Sequence, residues 1–304
     1  MRPIYENTVI QIDVTNACYL KCTNCTRHVG HHKKPYFMDL EYLRKAIDSL
    51  QDFPGEIGLM GGDPTLHPKF DEICKIYEEM VPRRRRHIWT SGFNWTEKKE
   101  IIFKTFDEDK ITYNDHTTPG GKHTPLLMSI DEVVEDKNLM WKLIDNCWIQ
   151  EQWSAAINPK GAFFCEVAAS LDYLFDGPGG WPIEKGWWKK TPEDFKDQID
   201  RYCKNCSGAL PMPAESDGFG GREKPTIDTV SPKMLEKLKK YGSPKIHGRN
   251  YKLFEKKYTK DDLKKYTKEW NPSNFRPFVA HIDTDYDKKN QTRVVDVSKS
   301  GKMK

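Results

Sequence analysis

Short apolar runs and amphipathic stretches alternate along the first 115 residues. Residues 9–14 (Val-Ile-Gln-Ile-Asp-Val) read as a strand, and residues 39–50 repeat Leu40, Leu43, Ala46, Ile47 and Leu50 at helical spacing behind an Asp39 cap. The alternation continues with a strand over 56–60, a helix over 69–81, a strand over 87–90, a helix over 96–106 and a strand over 110–113. Such an order implies parallel strands with helical crossovers, hence a doubly wound sheet or a whole or partial α/β barrel. In either architecture ligands sit at the carboxyl ends of the strands.

Residues 125–129 offer a fifth strand. Near residue 147 the pattern changes: 153–157 and 162–167 read as strands joined by a tight turn at 158–161, an antiparallel hairpin that opens a second, smaller unit. Residues 176–192 form a loop rich in Gly, Pro and Trp. From 222 the chain is Lys- and Tyr-rich with modest helical periodicity, and beyond Asp287 it has the composition of a frayed end. The expected boundaries are 1–146, 147–221 and 222–304, and no internal repeat is present.

A chain of 304 residues has room for one large domain, or for one of about two hundred residues with a smaller one attached. No window approaches 18 apolar residues and no apolar signal-peptide region opens the chain, so the expectation is a cytoplasmic protein without membrane contact. In that compartment eight cysteines point to metal or redox chemistry rather than disulfides. Charge is uneven. Residues 221–304 carry 22 Lys+Arg against 11 Asp+Glu, whereas the first 220 carry 27 against 34. The basic tail is either a solvated, lysine-coated face or a contact for phosphate on a nucleotide, a nucleic acid or a partner.

Three of the cysteines, Cys18, Cys22 and Cys25, follow the first strand in the pattern Cys-x-x-x-Cys-x-x-Cys. A short loop can wrap three thiolates around zinc or an iron–sulfur cluster, and three ligands leave one coordination site open for chemistry. The spacing and its position after the first strand resemble the radical S-adenosylmethionine (SAM) superfamily, whose fold is a partial (β/α) barrel. Gly61-Gly62-Asp63-Pro64 ends the second strand where that family carries Gly-Gly-Glu-Pro against the amino group of SAM. Glycines let backbone approach a ligand, and carbonyls with a carboxylate nearby can receive an ammonium. The resemblance further implies Ser91, at the end of the third strand, against the ribose or carboxylate of SAM, and Asn114, at the end of the fourth, as a cofactor contact. Two positions depart from the family pattern. Asn24 stands where an aromatic residue is usual before the third cysteine, leaving its backbone for the adenine, and Asp63 is one methylene shorter than the usual Glu.

Cys147, Cys165, Cys203 and Cys206 form a second set that would close a tetrahedral zinc site or fully ligate a second cube. It resembles the small α+β twitch domain of radical SAM enzymes, in which a hairpin and a short helix hold one auxiliary [4Fe–4S] cluster. Cys74 is left over and reads as a core cysteine on its helix.

What the resemblance implies is reductive cleavage of SAM on a [4Fe–4S] cluster, giving a 5′-deoxyadenosyl radical that abstracts hydrogen from a small polar substrate: a sugar, an aminocyclitol or a nucleotide. The auxiliary cluster would aid dehydrogenation or epimerisation, and an electron donor such as flavodoxin or ferredoxin would serve the first cluster. Modification of a DNA base or a peptide is the alternative within the family; a zinc-stabilised nucleic-acid-binding protein is the alternative outside it. Further polar residues have plain structural readings beside functional ones. His28, His31 and His32 fit a polar surface loop, Asp115 and His116 turn residues, Trp181, Trp187 and Trp188 a core cover, and residues 83–86 (four arginines) a solvated run.

Overall fold

A computed structural model of the chain describes residues 1–114, 122–152, 155–216 and 226–262, with the backbone of three short strands beyond them. Strands β1 (Val9–Thr15), β2 (Glu56–Gly61), β3 (Arg86–Thr90) and β4 (Ile111–Asn114) alternate with helices α1 (Leu40–Ser49), α2 (Phe70–Met80) and α3 (Trp95–Thr105). The hydrophobic pattern thus gave each of these elements to within one or two residues. Every residue of β1 is buried, as a parallel strand covered on both faces requires. Asp39 caps α1, its carboxylate accepting the N–H of Glu41 at 2.8 Å and of Tyr42 at 3.3 Å.

The four strands lie side by side in the order β4-β3-β2-β1, each parallel to the next. Every crossover moves one strand over in the same direction. Over β1 to β4 that is the winding expected of a partial barrel. The fold is therefore α/β with a mostly parallel central sheet, and the carboxyl ends of β1 to β4 share one rim.

The chain then runs through β5 (Lys122–His123), α4 (Ile130–Val133), α5 (Lys137–Asp145), α6 (Trp148–Gln152), β6 (Ala156–Asn158), β7 (Gly161–Phe163), α7 (Glu166–Leu174), α8 (Lys196–Tyr202) and β8 (Glu215–Ser216). After residue 226 come β9 (Asp228–Val230), α9 (Pro232–Tyr241), α10 (Pro244–His247) and β10 (Tyr251–Leu253), and then β11 (Phe275–Pro277). Two expectations change here. The hairpin β6–β7 does not open a separate sheet: β6 pairs in parallel with β1 at Gln11 and Ile12, so the hairpin extends the main sheet on its other side. It covers an edge of β1 that would otherwise present unpaired backbone groups. The hairpin is also shorter than expected, because the chain turns into α7 at Glu166. Residues 166–172 of that helix are all buried, Glu166, Ser170 and Asp172 among them, so no exposed polar stripe marks the start of a helix in the sequence.

Residues 125–129 are not a strand of the main sheet. They are deeply buried, bridge β9 between Leu127 and Val230 and hydrogen-bond to Ser207 at 2.8–3.3 Å, and β11 takes the place beside β4, antiparallel. Asp115, His116 and Trp153, together with most of the segment beyond Asp287, lie outside the described residues. No described helix is long and apolar enough to cross a membrane.

The run of arginines is solvated only in part: Arg83 and Arg84 are exposed, Arg85 is half-buried and Arg86 is buried. Arg85 donates to the carbonyls of Leu50, Gln51 and Gly55 at 2.9–3.1 Å, just past the end of α1. Arg86 reaches Glu78 and Val81 at the end of α2 and Thr105 at the end of α3, at 2.7–3.0 Å, while Arg83 reaches Phe103 and Phe106 at 2.8–2.9 Å. Three side chains from one turn thus satisfy orphan carbonyls of three successive helices and place positive charge at their negative ends. The basic extension is likewise folded against the rest: Lys233 pairs with Asp131 at 2.5 Å and Lys252 with Glu215 at 2.6 Å.

Arg86→Ala removes this donor from two buried carbonyls and one part-buried one, and we expect it to lower the unfolding free energy by about 3 kcal/mol. Urea denaturation followed by circular dichroism measures the loss.

Candidate radical SAM site

Chain exit from β1 sets the first cysteine loop. Thr15 Oγ1 donates to the carbonyl of Tyr36 at 2.6 Å and accepts the N–H of Ala17 at 2.9 Å, while Asn16 Oδ1 accepts the N–H of Tyr36 at 2.7 Å. These bonds draw residues 16–38 into a closed excursion on the rim. Cys22 is buried and Cys18 and Cys25 are partly exposed; the N–H of Leu20 points at Cys18 Sγ, 3.4 Å away.

The Gly-Gly-Asp-Pro stretch packs directly on this loop. Gly62 N–H donates to Thr15 O at 2.7 Å and Asp63 N–H to Ala17 O at 2.8 Å. Gly61 has φ +143°, and a Cβ there would stand 2.0 Å from Thr15 O; one on Gly62 would stand 2.1 Å from Ala17 O. Only glycine fits at either position. Asp63 is fully buried, and its carboxylate accepts from Thr65 N at 3.1 Å, Thr65 Oγ1 at 2.8 Å, Thr90 Oγ1 at 3.2 Å and Ser91 N at 3.0 Å, as well as from the Ser91 hydroxyl. Asp63 and Ser91, assigned separately from sequence to SAM, therefore stand together as partners that tie the ends of β2 and β3. Pro64 starts the 3-10 turn Pro64–Leu66. Asn114 ends β4, and its side chain is outside the described set. Across the rim, the Tyr19 ring of the cysteine loop stacks on Phe93 with centroids 3.9 Å apart.

The histidines after the loop are not on a polar surface. His28 and His31 are 2% and 1% exposed, which overturns the surface-loop reading. His28 Nδ1 meets Ser170 Oγ at 2.8 Å, and burial together with His31 and His32 nearby holds its pKa well below the usual range. Burial brings His32 down to about 4. His31 bonds Ser243 at 2.7 Å and Asp228 at 2.6 Å, both from the extension. Sequence reading missed this because three histidines in a loop look hydrophilic until other elements close over them.

Asn24 has φ +53° and is buried; its N–H donates to Asp228 Oδ1 at 2.6 Å, its Nδ2 to Glu215 at 2.9 Å, and its Oδ1 accepts Thr229 N–H at 3.2 Å. The basic extension, outside the family resemblance, is thus a wall of the first cysteine loop. Arg27 closes the other side. Its guanidinium lies 3.3 Å from Asp13 and 2.9 Å from Glu166, the residue after Cys165, so one buried cation joins the first cysteine loop to the second set. Burial works against the Arg27 charge, but Asp13, Glu166 and Cys25 outweigh it and hold the guanidinium protonated.

Cys147, Cys165, Cys203 and Cys206 line one cavity, walled by Ile149, Phe164 and Leu171. Burial and mutual repulsion push the Cys165 and Cys203 thiols far up, and burial with Cys147 takes Cys206 to about 12. Four thiols gathered this way gain as thiolates only with a polyvalent cation among them, so the donor set fits a metal or an iron–sulfur cube. The N–H of Gly208 directed at Cys206 Sγ, 3.2 Å away, suits a ligating thiolate. Among the described residues no group of three or more His, Cys, Asp and Glu is arranged to hold a metal ion, so it is the donor chemistry of the four thiols and not their present spacing that suits one. Cys74 is buried on α2, where burial holds its thiol at about 12, as a core cysteine should be. Trp187 and Trp188 are buried in the core.

Comparison with known proteins bears on the segment that carries the first cysteine loop. Residues 12–112, from within β1 into β4, match the model of the radical SAM superfamily, which supports a radical SAM domain over that segment. A curated relative, the S-adenosyl-L-methionine-dependent 2-deoxy-scyllo-inosamine dehydrogenase of Niallia circulans, is 28% identical over 119 residues, 38% of this chain and 47% of the relative. The match thus spans about half of that relative's length. Among solved structures, BtrN in complex with AdoMet and 2-DOIA aligns over 66% of this chain and 92% of its own, at 17% identity and a TM-score of 0.44. SuiB of Streptococcus suis bound to S-adenosylmethionine aligns over 82% of this chain and 50% of its own, at 14% identity and a TM-score of 0.29.

Asp63→Ala would strand the donors of Thr65, Thr90 and Ser91 at the rim. We expect it to cost about 3 kcal/mol of stability, and Asp63→Asn less, as read by thermal unfolding of both variants.

Proposed function

We propose that the protein is a radical SAM enzyme with two [4Fe–4S] clusters that dehydrogenates a small hydroxylated substrate, a sugar or an aminocyclitol. The observation that carries this reading is the Cys18–Cys22–Cys25 loop leaving β1 with Gly61-Gly62-Asp63 hydrogen-bonded to its backbone, inside the matched segment. Cys18, Cys22 and Cys25 would hold the first cluster, and Cys147, Cys165, Cys203 and Cys206 the second. With SAM bound, the first centre would supply reductive cleavage of the sulfonium bond and hydrogen abstraction from a substrate C–H.

The chain's own residues do the rest. Gly61 and Gly62 bring the backbone of β2 against the loop, while Ser91, Asn24 and Asn114 would be the candidate contacts for SAM. Loss of a hydrogen atom to the nucleoside, a proton to a base and an electron balances oxidation of an alcohol to a ketone, and the four-cysteine cavity is the proposed electron acceptor. The name of the N. circulans relative favours dehydrogenation over epimerisation and an aminocyclitol over a peptide. A flavodoxin- or ferredoxin-type carrier would deliver the electron that starts the reaction.

Seven thiolates on two cubes predict about eight iron and eight sulfide per chain after anaerobic purification. On reduction with dithionite the protein should release methionine and 5′-deoxyadenosine, and Cys22→Ala should abolish that release. Deuterium moving from a carbon-deuterated aminocyclitol into 5′-deoxyadenosine identifies the substrate class. Colourless protein with stoichiometric zinc overturns the proposal in favour of a zinc-stabilised one.

A further inference from the structure

The extension that follows residue 226 makes more polar contact with the first cysteine loop than a solvated tail would. Asp228, 1% exposed, accepts the N–H of Asn24 at 2.6 Å and the ammonium of Lys245 at 2.7 Å on Oδ1, and bonds His31 Nε2 at 2.6 Å on Oδ2. Lys245, itself buried, carries the contact on to the carbonyl of Cys22 at 3.2 Å. Thr226 Oγ1 donates to the carbonyl of Lys21, and Thr229 N–H to Asn24 Oδ1 at 3.2 Å. Residues 21, 22, 24 and 31 of the loop are therefore all held by one segment some two hundred positions downstream, with the Asp228 carboxylate at its centre.

Geometry makes this contact consequential. Asn24 immediately precedes Cys25 and sits at φ +53°, in the left-handed region that asparagine tolerates better than most residues, and its N–H and side chain are all bonded to the extension or to Glu215. The Asp228 bond to its N–H is charge-assisted and dry, hence strong. Cys22 and Cys25 bracket this peptide, so its orientation sets where their thiols point.

We propose that Asp228 is a positioning residue for SAM binding: it clamps the peptide between Cys22 and Cys25 so that the open face of the first cluster is aligned for the nucleotide. The inference rests on the radical SAM reading above. Thiolates assemble a cube with some tolerance for backbone shifts, whereas chelation of SAM at the remaining iron depends on direction. Loss of the clamp should thus leave the cluster in place and weaken the ligand.

Asp228→Asn keeps the shape and removes the charge. We expect unchanged iron and sulfide, a Kd for SAM raised about tenfold, and a KM for SAM raised alike, with kcat at saturating SAM within about twofold. The change that SAM causes in the electron paramagnetic resonance spectrum of the reduced cluster should need correspondingly more SAM. Hydrogen–deuterium exchange of the peptide spanning 18–32 should speed up in the protein without SAM. Should Asp228→Asn fail to fold, Lys245→Met removes one arm of the clamp and is read by the same measurements. Wild-type SAM affinity together with wild-type exchange in the folded variant overturns the clamp. If the native protein binds neither iron nor SAM, the radical SAM reading fails instead, and the exchange measurement still decides whether Asp228 holds the loop.

Discussion

Two backbone amides, those of Gly62 and Asp63, hold the end of β2 against the carbonyls of Thr15 and Ala17 where the chain leaves β1. The approach is so close that a methyl group at Gly61 or Gly62 would overlap the loop's own backbone. Everything functional on the rim is arranged around that contact. It fixes the direction in which the cysteine loop departs, it brings Asp63 under the end of β3, and through Asp63 it fixes Ser91. A glycine pair that sequence alone suggests is for a ligand therefore has a prior duty to the protein itself.

Around this contact the loop is enclosed by buried charge. Arg27 faces Asp13 and Glu166 on one side, and Lys245 and His31 face Asp228 on the other. Buried ions cost several kcal/mol each to desolvate, and pairing recovers that cost only with good geometry and further hydrogen bonds. Such networks are weak as stabilisers and strong as determinants of a single arrangement, because breaking any one member leaves its partners uncompensated. The same logic joins the two cysteine sets. Arg27 follows Cys25 by two positions and meets Glu166, which follows Cys165, so the two candidate metal centres share a buried ion pair.

Elements with strong local signals were legible in the sequence. The first four strands and three helices follow from period and caps, since β1 alternates an apolar face of Ile10, Ile12 and Val14 with one carrying Gln11, Asp13 and Thr15, and α1 must turn one apolar stripe to the sheet. The motif cysteines, the glycines of residues 61 and 62, and Asp63 were legible as candidates because their spacing is short and their residue types are chemically narrow. Arg83, Arg85 and Arg86 were not, for a run of arginines looks solvated until three helix ends converge on it. His28 and His31 failed for the same reason.

What the sequence determined by itself was thus the local periodicity, the donor types and their spacing along the chain, all properties carried by neighbours within about one turn or one strand. Tertiary structure alone decided that the hairpin continues the main sheet through β1 and that Asp228 reaches back to Asn24. These are pairings across scores to hundreds of residues. They are set by which surfaces can be buried together and which charges must be matched once water is gone, and no local pattern in the chain encodes that outcome.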